Sequence, residues 1–236
     1  MKVTNLLTEK DREVFDRIDR DCLAMHVPTS PKTFIELSVT DENGIEVERY
    51  TDRAHSWVRN AYNALFSMFG VAVSNSGSNS YGAGGLVVKN TAGTAVEGSA
   101  TTLLTLGKSL SNQLGAIGSA AMGVVVGSSD SAESFDSHVL NTLIANGNSA
   151  GQMAYQAEAS PSVVYDSETK KWTCVRSRVI NNNSGSPIVV NEVGIIGLLD
   201  IVQNVLITRD LLASPVTVPN SGQLTVTYTI EMTFPA

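Results

Sequence analysis

Charge is scarce in this chain, and on balance it is acidic. Charged residues make up 17% of the 236 residues and the formal net charge is −7, whereas soluble domains average about 25% charged residues. The sequence has no cluster of lysine and arginine, and nucleic-acid binding depends on such a basic surface to displace counterions. We therefore expect no nucleic-acid partner. Small polar residues and 19 glycines replace the missing charge, as is common where neighbouring subunits cover the surface and in secreted β-proteins.

Cysteine and histidine are also nearly absent. Cys22 and Cys174 are too few for a disulfide framework or a zinc site, and we interpret both as small core residues. Three histidines lie far apart without the spacing of metal ligands. His138 stands close to the acidic segment 128–136, a candidate cation site, but this segment lacks the ligand spacing and the glycine of a calcium loop. We favour a solvated acidic loop over a cation site, and expect no metal and no cofactor.

Long apolar runs are missing as well. No stretch approaches the roughly 18 apolar residues of a membrane-spanning helix, so we expect no membrane partner. Residues 1–20 are polar and charged, which is unlike a signal peptide. These features predict a protein that is made and folded in a cytoplasm.

One formal catalytic pattern, G-x-S-x-G, spans residues 147–151 and centres on Ser149. In α/β-hydrolases this serine stands between a strand and a helix, and the catalytic histidine follows it along the chain. His26, His55 and His138 all precede Ser149. The adjacent asparagines also indicate an ordinary turn. We therefore expect neither enzyme activity nor a small-molecule substrate.

Glu192 stands inside an apolar run that is typical of a strand. A carboxylate in that position must face outward, form an ion pair or bind a proton. We expect an arginine on a neighbouring strand as its partner, and the candidates are Arg209, Arg176 and Arg178.

Residues 1–73 predict a helix, a β-hairpin and a second helix. Thr8 can cap the first helix, with Asp11 three residues later. Asn43 and Gly44 stand between two alternating runs, which is the strongest short-range signal for a hairpin. The second helix is predicted at about residues 52–69.

Apolar residues cover well over half of this second helix, so we expect its own domain or another subunit to bury it. Its aromatic residues are our candidates for a subunit interface, because aromatic anchors carry a large share of interface energy. They are Trp57, Tyr62, Phe66 and Phe69.

The remaining residues divide into two segments. Residues 74–122 are rich in serine, glycine and threonine, and Ser74–Gly85 has the composition of a flexible loop or a linker. Residues 123–236 contain short strands about ten residues apart, which is typical of a β-sandwich or barrel. Residues 224–234 alternate apolar and polar with a period of two. We predict a mainly β fold, with an α+β N-terminal part and a β-sandwich-like domain over 123–236.

Several strand and turn motifs follow one another in this C-terminal part. They are Gly123–Gly127, Ile144–Gln152, Ile180–Ser186, Ile188–Gly194, Leu206–Val218 and Leu224–Ile230. In this order they resemble the β-rich structural proteins of tailed bacteriophages, over residues 123–234. Residues 1–73 carry no motif of that family.

The resemblance implies a non-enzymatic virion component, present in many copies in the capsid, neck or tail. Its expected partners are copies of itself and other virion proteins. The alternative is a receptor-binding or glycan-binding β-sandwich, whose exposed loops would carry aromatic residues. Tyr81, Tyr155 and Tyr165 are the candidates for that role.

Overall fold

The protein is mainly β, as the sequence predicts, with 48% of the chain in strands and 12% in helices. The computed structural model describes residues 1–27, 31–54, 57–67, 78–79, 82–83, 87–96, 114–199 and 203–234. The helices are α1 (Glu9–Ala24) and α2 (Arg59–Ser67). The strands are β1 (Lys2–Asn5), β2 (Lys32–Thr40), β3 (Glu46–Ala54), β4 (Ser78–Asn79), β5 (Gly82–Ala83), β6 (Val88–Lys89), β7 (Ala95–Val96), β8 (Gly123–Gly127), β9 (Ala154–Tyr155), β10 (Ser162–Asp166), β11 (Lys171–Asn181), β12 (Ile188–Leu199), β13 (Gln203–Val218) and β14 (Gln223–Thr233).

The larger sheet, sheet A, combines strands from both ends of the chain. Its order is β1-β3-β2-β14-β11-β10, and β9 also pairs with β11. The pair β1–β3 is parallel, and the other pairs are antiparallel. Because β2 pairs with β14 from Lys32 to Thr40, the segments 1–73 and 123–236 meet within one sheet. The two segments that the sequence analysis separates therefore do not form separate sheets.

The smaller sheet, sheet B, has the order β13-β12-β8 and is antiparallel throughout. β12 and β13 shift register between Val190 and Glu192. All five residues of β8 are buried, so the motif Gly123–Gly127 forms a strand within the core. The pairs β4–β5 and β6–β7 form separate two-stranded ladders.

One hydrophobic cluster contains side chains from both sheets. In β14 the residues Leu224, Val226 and Tyr228 are fully buried and point to one side, as the alternation predicts. Ile230 and Met232 continue that alternation but are only half-buried. The core therefore covers the first part of β14 better than its last part.

The hairpin β2–β3 forms where the sequence predicts it. Asp41 Oδ1 accepts hydrogen bonds from the backbone N–H groups of Asn43 and Ile45. Gly44 has φ +76°, a backbone conformation that glycine adopts without steric cost. The turn chemistry thus fixes the register of the two strands.

α1 begins with the predicted capping box, because Thr8 and Asp11 exchange side-chain and backbone hydrogen bonds. These bonds hold the pKa of Asp11 below its ordinary value. Val14 and Ile18 of this helix are exposed, whereas Phe15, Cys22 and Leu23 are half-buried. The helix rests on sheet A through Phe15, whose ring meets that of Phe34 edge-on at 5.9 Å.

Polar contacts of Asp19 also attach α1 to sheet A. Asp19 forms an ion pair with Lys32 of β2 and accepts a hydrogen bond of 3.0 Å from the Thr233 hydroxyl of β14. The face of α1 that contacts the sheet therefore combines an aromatic ring with a carboxylate. The periodicity of apolar residues alone does not identify that face, because it includes the exposed Val14 and Ile18 and omits Asp19.

α2 begins seven residues later than predicted. Residues 52–54 continue β3, and Ala54 pairs with Thr33, so helical geometry starts only at Arg59. Phe69, the predicted end of this helix, lies outside the described residues, as does most of Ser74–Gly85. β1 was not predicted, since four residues beside a helix cap give no periodic signal.

The described helices contain 16 and 9 residues. None of the helices in the described part of the chain is long and apolar enough to cross a membrane.

Replacing Thr8 with alanine should weaken the attachment of α1. The free energy of unfolding should fall by about 1 kcal/mol, the usual loss when an N-cap side chain is deleted. Urea unfolding would measure the change, with Thr8→Ser, which keeps the hydroxyl, as the matched control. An unfolding midpoint unaffected by Thr8→Ala would contradict a stabilising role for the capping box.

Candidate functional site

The four aromatic residues predicted as interface anchors fall in different settings. Trp57 is half-buried and Tyr62 is exposed. The side chain of Phe66 and the whole of Phe69 lie outside the described residues.

Trp57 joins the two sheets within one chain. Its backbone forms an antiparallel bridge with Thr208 of β13, and its indole N–H donates a 3.0 Å hydrogen bond to the Thr33 hydroxyl of β2. The neighbouring Val58 is buried, and its N–H donates to the carbonyl of Ile207. These contacts support an internal packing role for Trp57.

Tyr62 belongs to an exposed aromatic patch, which we define as Arg59, Tyr62 and Phe135. The rings of Tyr62 and Phe135 are 5.8 Å apart, and each residue is about half exposed. The Arg59 guanidinium lies 5.0 Å from the centre of the Phe135 ring, and it also forms an ion pair with Asp136. The patch offers flat apolar surface beside a cation.

Glu192 pairs with Arg209, the first of the three candidates that the sequence offered. Arg209 Nε donates to Glu192 Oε2 at 2.7 Å, and both side chains are almost fully buried. The other guanidinium nitrogens bind the carbonyls of Ser131 and Ala132. Because these carbonyls belong to the acidic segment 128–136, the ion pair attaches that segment to sheet B.

The Glu192 carboxylate binds a second stretch of loop. Its oxygens accept hydrogen bonds from the backbone N–H groups of Asn141 and Thr142. A buried charge is tolerated only when its hydrogen-bonding capacity is used. The pair Glu192–Arg209 meets that condition by binding backbone on both of its sides.

Arg178 organises a second loop. This guanidinium is buried, and its nitrogens donate five hydrogen bonds of 2.7–3.0 Å to backbone carbonyls. The acceptors are Ala116, Ser119, Met122, Val124 and Gln156. Its cationic group also lies 4.8 Å from the centre of the Tyr155 ring. The loop before β8 is therefore held to sheet A through its backbone.

Glu158, which the sequence analysis did not identify, completes this arrangement. One carboxylate oxygen accepts the N–H groups of Gly115 and Val124, and the other forms an ion pair with Arg176 at 2.7 Å. Glu158 lies outside any strand-like apolar run, so its position in the sequence gives no sign that its carboxylate is buried.

Three glycines lie close to the buried charged groups of Arg178, Glu158 and Glu192. A Cβ at Gly115 would lie 2.2 Å from the Arg178 guanidinium, and one at Gly123 would lie 2.1 Å from Glu158 Oε2. A Cβ at Gly127 would lie 2.4 Å from Glu192 Oε1. Side chains are excluded at these positions because the Arg178 guanidinium and the carboxylates of Glu158 and Glu192 occupy the space.

Hydroxyl and carboxylate groups also link the two sheets. The Tyr228 hydroxyl of β14 donates to Asp210 of β13 at 3.2 Å, and the Tyr50 hydroxyl of β3 accepts the N–H of Ala213. Burial raises the pKa of both tyrosines well above its ordinary value. Both hydroxyls therefore keep their protons at neutral pH and serve as fixed links between sheets.

Ser149 does not have the geometry of a catalytic serine. It is exposed in a turn, where its N–H bonds to the Gln152 side chain and its carbonyl accepts the Gln152 N–H. No helix follows it, since β9 begins at Ala154. A nucleophile elbow needs a strand-to-helix turn, so the G-x-S-x-G match is an ordinary turn.

Two carboxylates of the acidic segment 128–136 bind a backbone N–H group and an arginine of the protein itself. Glu133 accepts the N–H of Leu211 at 2.6 Å, and Asp136 pairs with Arg59. Within the described ranges, no group of three or more histidine, cysteine, aspartate or glutamate residues could hold a metal ion. The structure gives the candidate cation site no support.

The outer edge of sheet A is formed by β10. All five of its residues are exposed, and three of them are Val163, Val164 and Tyr165. The Tyr165 ring lies 4.9 Å from that of Trp172, which is also exposed. This is a strand edge with apolar side chains on both faces.

No protein-family model, curated protein or solved structure matches this chain.

Arg209→Met should destabilise the protein strongly, because it leaves the Glu192 carboxylate buried without a cation. We expect a loss of about 3–5 kcal/mol in the free energy of unfolding. The double variant Arg209→Met/Glu192→Gln should lose less than the sum of the two single variants. Guanidinium unfolding of all three variants would measure the coupling.

The exposed pair Arg59–Asp136 supplies the matched control. Arg59→Met removes the same group from a solvated ion pair, which is worth about 1 kcal/mol or less. Similar losses for Arg59→Met and Arg209→Met would contradict the anchoring role of the buried pair.

Proposed function

We propose that this chain is a non-enzymatic structural component of a bacteriophage virion, which self-associates and docks on the capsid, neck or tail. The order of strand and turn motifs in residues 123–234 supports the proposal. The observation that carries it is the uncovered apolar edge of β10, because sheet edges of this kind invite pairing with another chain. A virion component has such partners permanently beside it.

The positions of the motif residues agree with a scaffold. Glu192 and Arg209 belong to two different motif segments and form one buried ion pair. Gly127 and Gly194 belong to two of these segments and lie close to backbone carbonyls. A Cβ at Gly127 would lie 2.8 Å from the carbonyl oxygen of Thr142, and one at Gly194 would lie 2.6 Å from that of Thr208. The motifs thus consist largely of residues that hold strands and loops together.

We further propose that sheets A and B pack face to face as a sandwich. Their side chains share one hydrophobic cluster, and the bonds of Tyr50 and Tyr228 run between the sheets. Strands β2 and β3 from the N-terminal part would complete this sandwich with the C-terminal strands.

Mass spectrometry of purified phage particles tests the virion assignment. Particles from a phage whose genome encodes this chain should contain it in many copies, at a constant ratio to the major capsid protein through repeated density-gradient purification. A protein confined to the soluble fraction of the lysate would overturn the proposal. A known cytoplasmic phage enzyme serves as the control for carry-over.

A glycan-binding module is the second candidate, and the exposed patch of Arg59, Tyr62 and Phe135 favours it. Aromatic faces beside a cation suit the apolar face and the hydroxyl groups of a sugar. If this candidate holds, the purified chain should retain a defined set of sugars on a glycan array, and Phe135→Ala should abolish the binding. Val189→Ala, which truncates an exposed residue of β12, is the control. An array without any signal would exclude glycans of the kinds it displays.

A further inference from the structure

We propose that β10 pairs antiparallel with β10 of a second copy of this chain, about a two-fold axis at Val164. The two copies of sheet A would then be joined edge to edge. The inference deepens the self-association in the proposed function and rests on it.

The outer edge of β10 lacks the usual protection against pairing. Natural edge strands carry lysine, proline or a bulge, or are covered by another element. β10 pairs with β11 in continuous register, has no lysine or proline between Ser162 and Asp166, and is exposed along its whole length. No described strand pairs with its outer side.

The opposite edge of sheet A is protected. β1 carries Lys2, which forms an ion pair with Glu48 of β3, and the chain then turns into α1. Lysine on an edge strand disfavours addition of another strand. The contrast indicates that sheet A is open to pairing at one edge and closed at the other.

The sequence of β10 is complementary to itself in the antiparallel direction. A two-fold axis at Val164 sets Val164 against its copy, Val163 against Tyr165, and Ser162 against Asp166. Aromatic residues opposite β-branched residues stabilise antiparallel pairs, whereas like charges directly opposite destabilise them. The only charged group, Asp166, meets a hydroxyl in this register and is kept away from its copy.

The apolar surface behind β10 continues across the proposed axis. Val163 and Tyr165 are the register partners of Cys174 and Trp172, and directly opposed residues lie on the same face of a sheet. This apolar strip (Val163, Tyr165, Cys174, Trp172) is partly exposed in one copy. Two-fold pairing joins the two strips into one surface. A second copy therefore fits the edge better than an unrelated strand does.

Light scattering on the purified chain, over a range of concentrations, tests the pairing. The wild type should form dimers, and Val164→Lys should be a monomer because two ammonium groups would face each other at the axis. Val164 is 59% exposed, so the lysine has room in the single copy. Circular dichroism and the unfolding midpoint would verify that the variant folds.

Two further variants make the test specific. Val3→Lys alters a valine of β1 that is 56% exposed, and it should remain dimeric. Val164→Glu should be monomeric by itself, whereas an equal mixture with Val164→Lys should recover dimers with one copy of each. A monomeric wild type, a dimeric Val164→Lys or a mixture that stays monomeric would overturn the inference, the last because Val164 would then not face Val164 of the second copy.

The outcomes separate this inference from the proposed function. A chain that is present in particles but monomeric in solution at all concentrations supports the virion assignment and rejects the β10 pairing. A chain that dimerises through β10 but is absent from particles does the reverse.

Discussion

A guanidinium removed from water must have its N–H donors satisfied, and two loops of this protein are built around that requirement. Arg178 makes five hydrogen bonds, all to carbonyl oxygens, and Arg209 divides its donors between Glu192 and two carbonyls. Loss of either group would leave buried carbonyls without partners, at a cost of about 1–3 kcal/mol for each group. The loops keep their backbone conformation because the arginines fix it.

Sheet A forms only when the two ends of the chain come together. β2 and β3 come from the first quarter of the sequence and β14 from its last residues, yet β2 and β14 pair along nine residues. Pairing between such distant segments carries a large loop-closure cost, so sheets of this kind form slowly. Without β2, the backbone N–H and C=O groups along that edge of β14 have no strand partner.

Local chemistry made parts of this fold predictable. Asn43 and Gly44 identified the hairpin, and the strict alternation after Leu224 identified β14. The position of Glu192 inside an apolar run indicated an arginine partner, and Arg209 fulfils that role. The pairing of β2 with β14 and the role of Glu158 were not predictable in this way, because they depend on contacts between distant segments. The exposure of β10 was also hidden, since Val163 to Tyr165 has the same composition as a core strand.

Arg178 contacts its loop through carbonyl oxygens, which every amino acid possesses. The side chains at Ala116, Ser119 and Met122 are therefore free to change without loss of the anchor, provided that Gly115 and Gly123 keep the space beside it open. The surface of this loop can diverge rapidly while its path stays constant. A lineage under pressure to alter its exterior would retain the arginine and the two glycines and vary the residues between them.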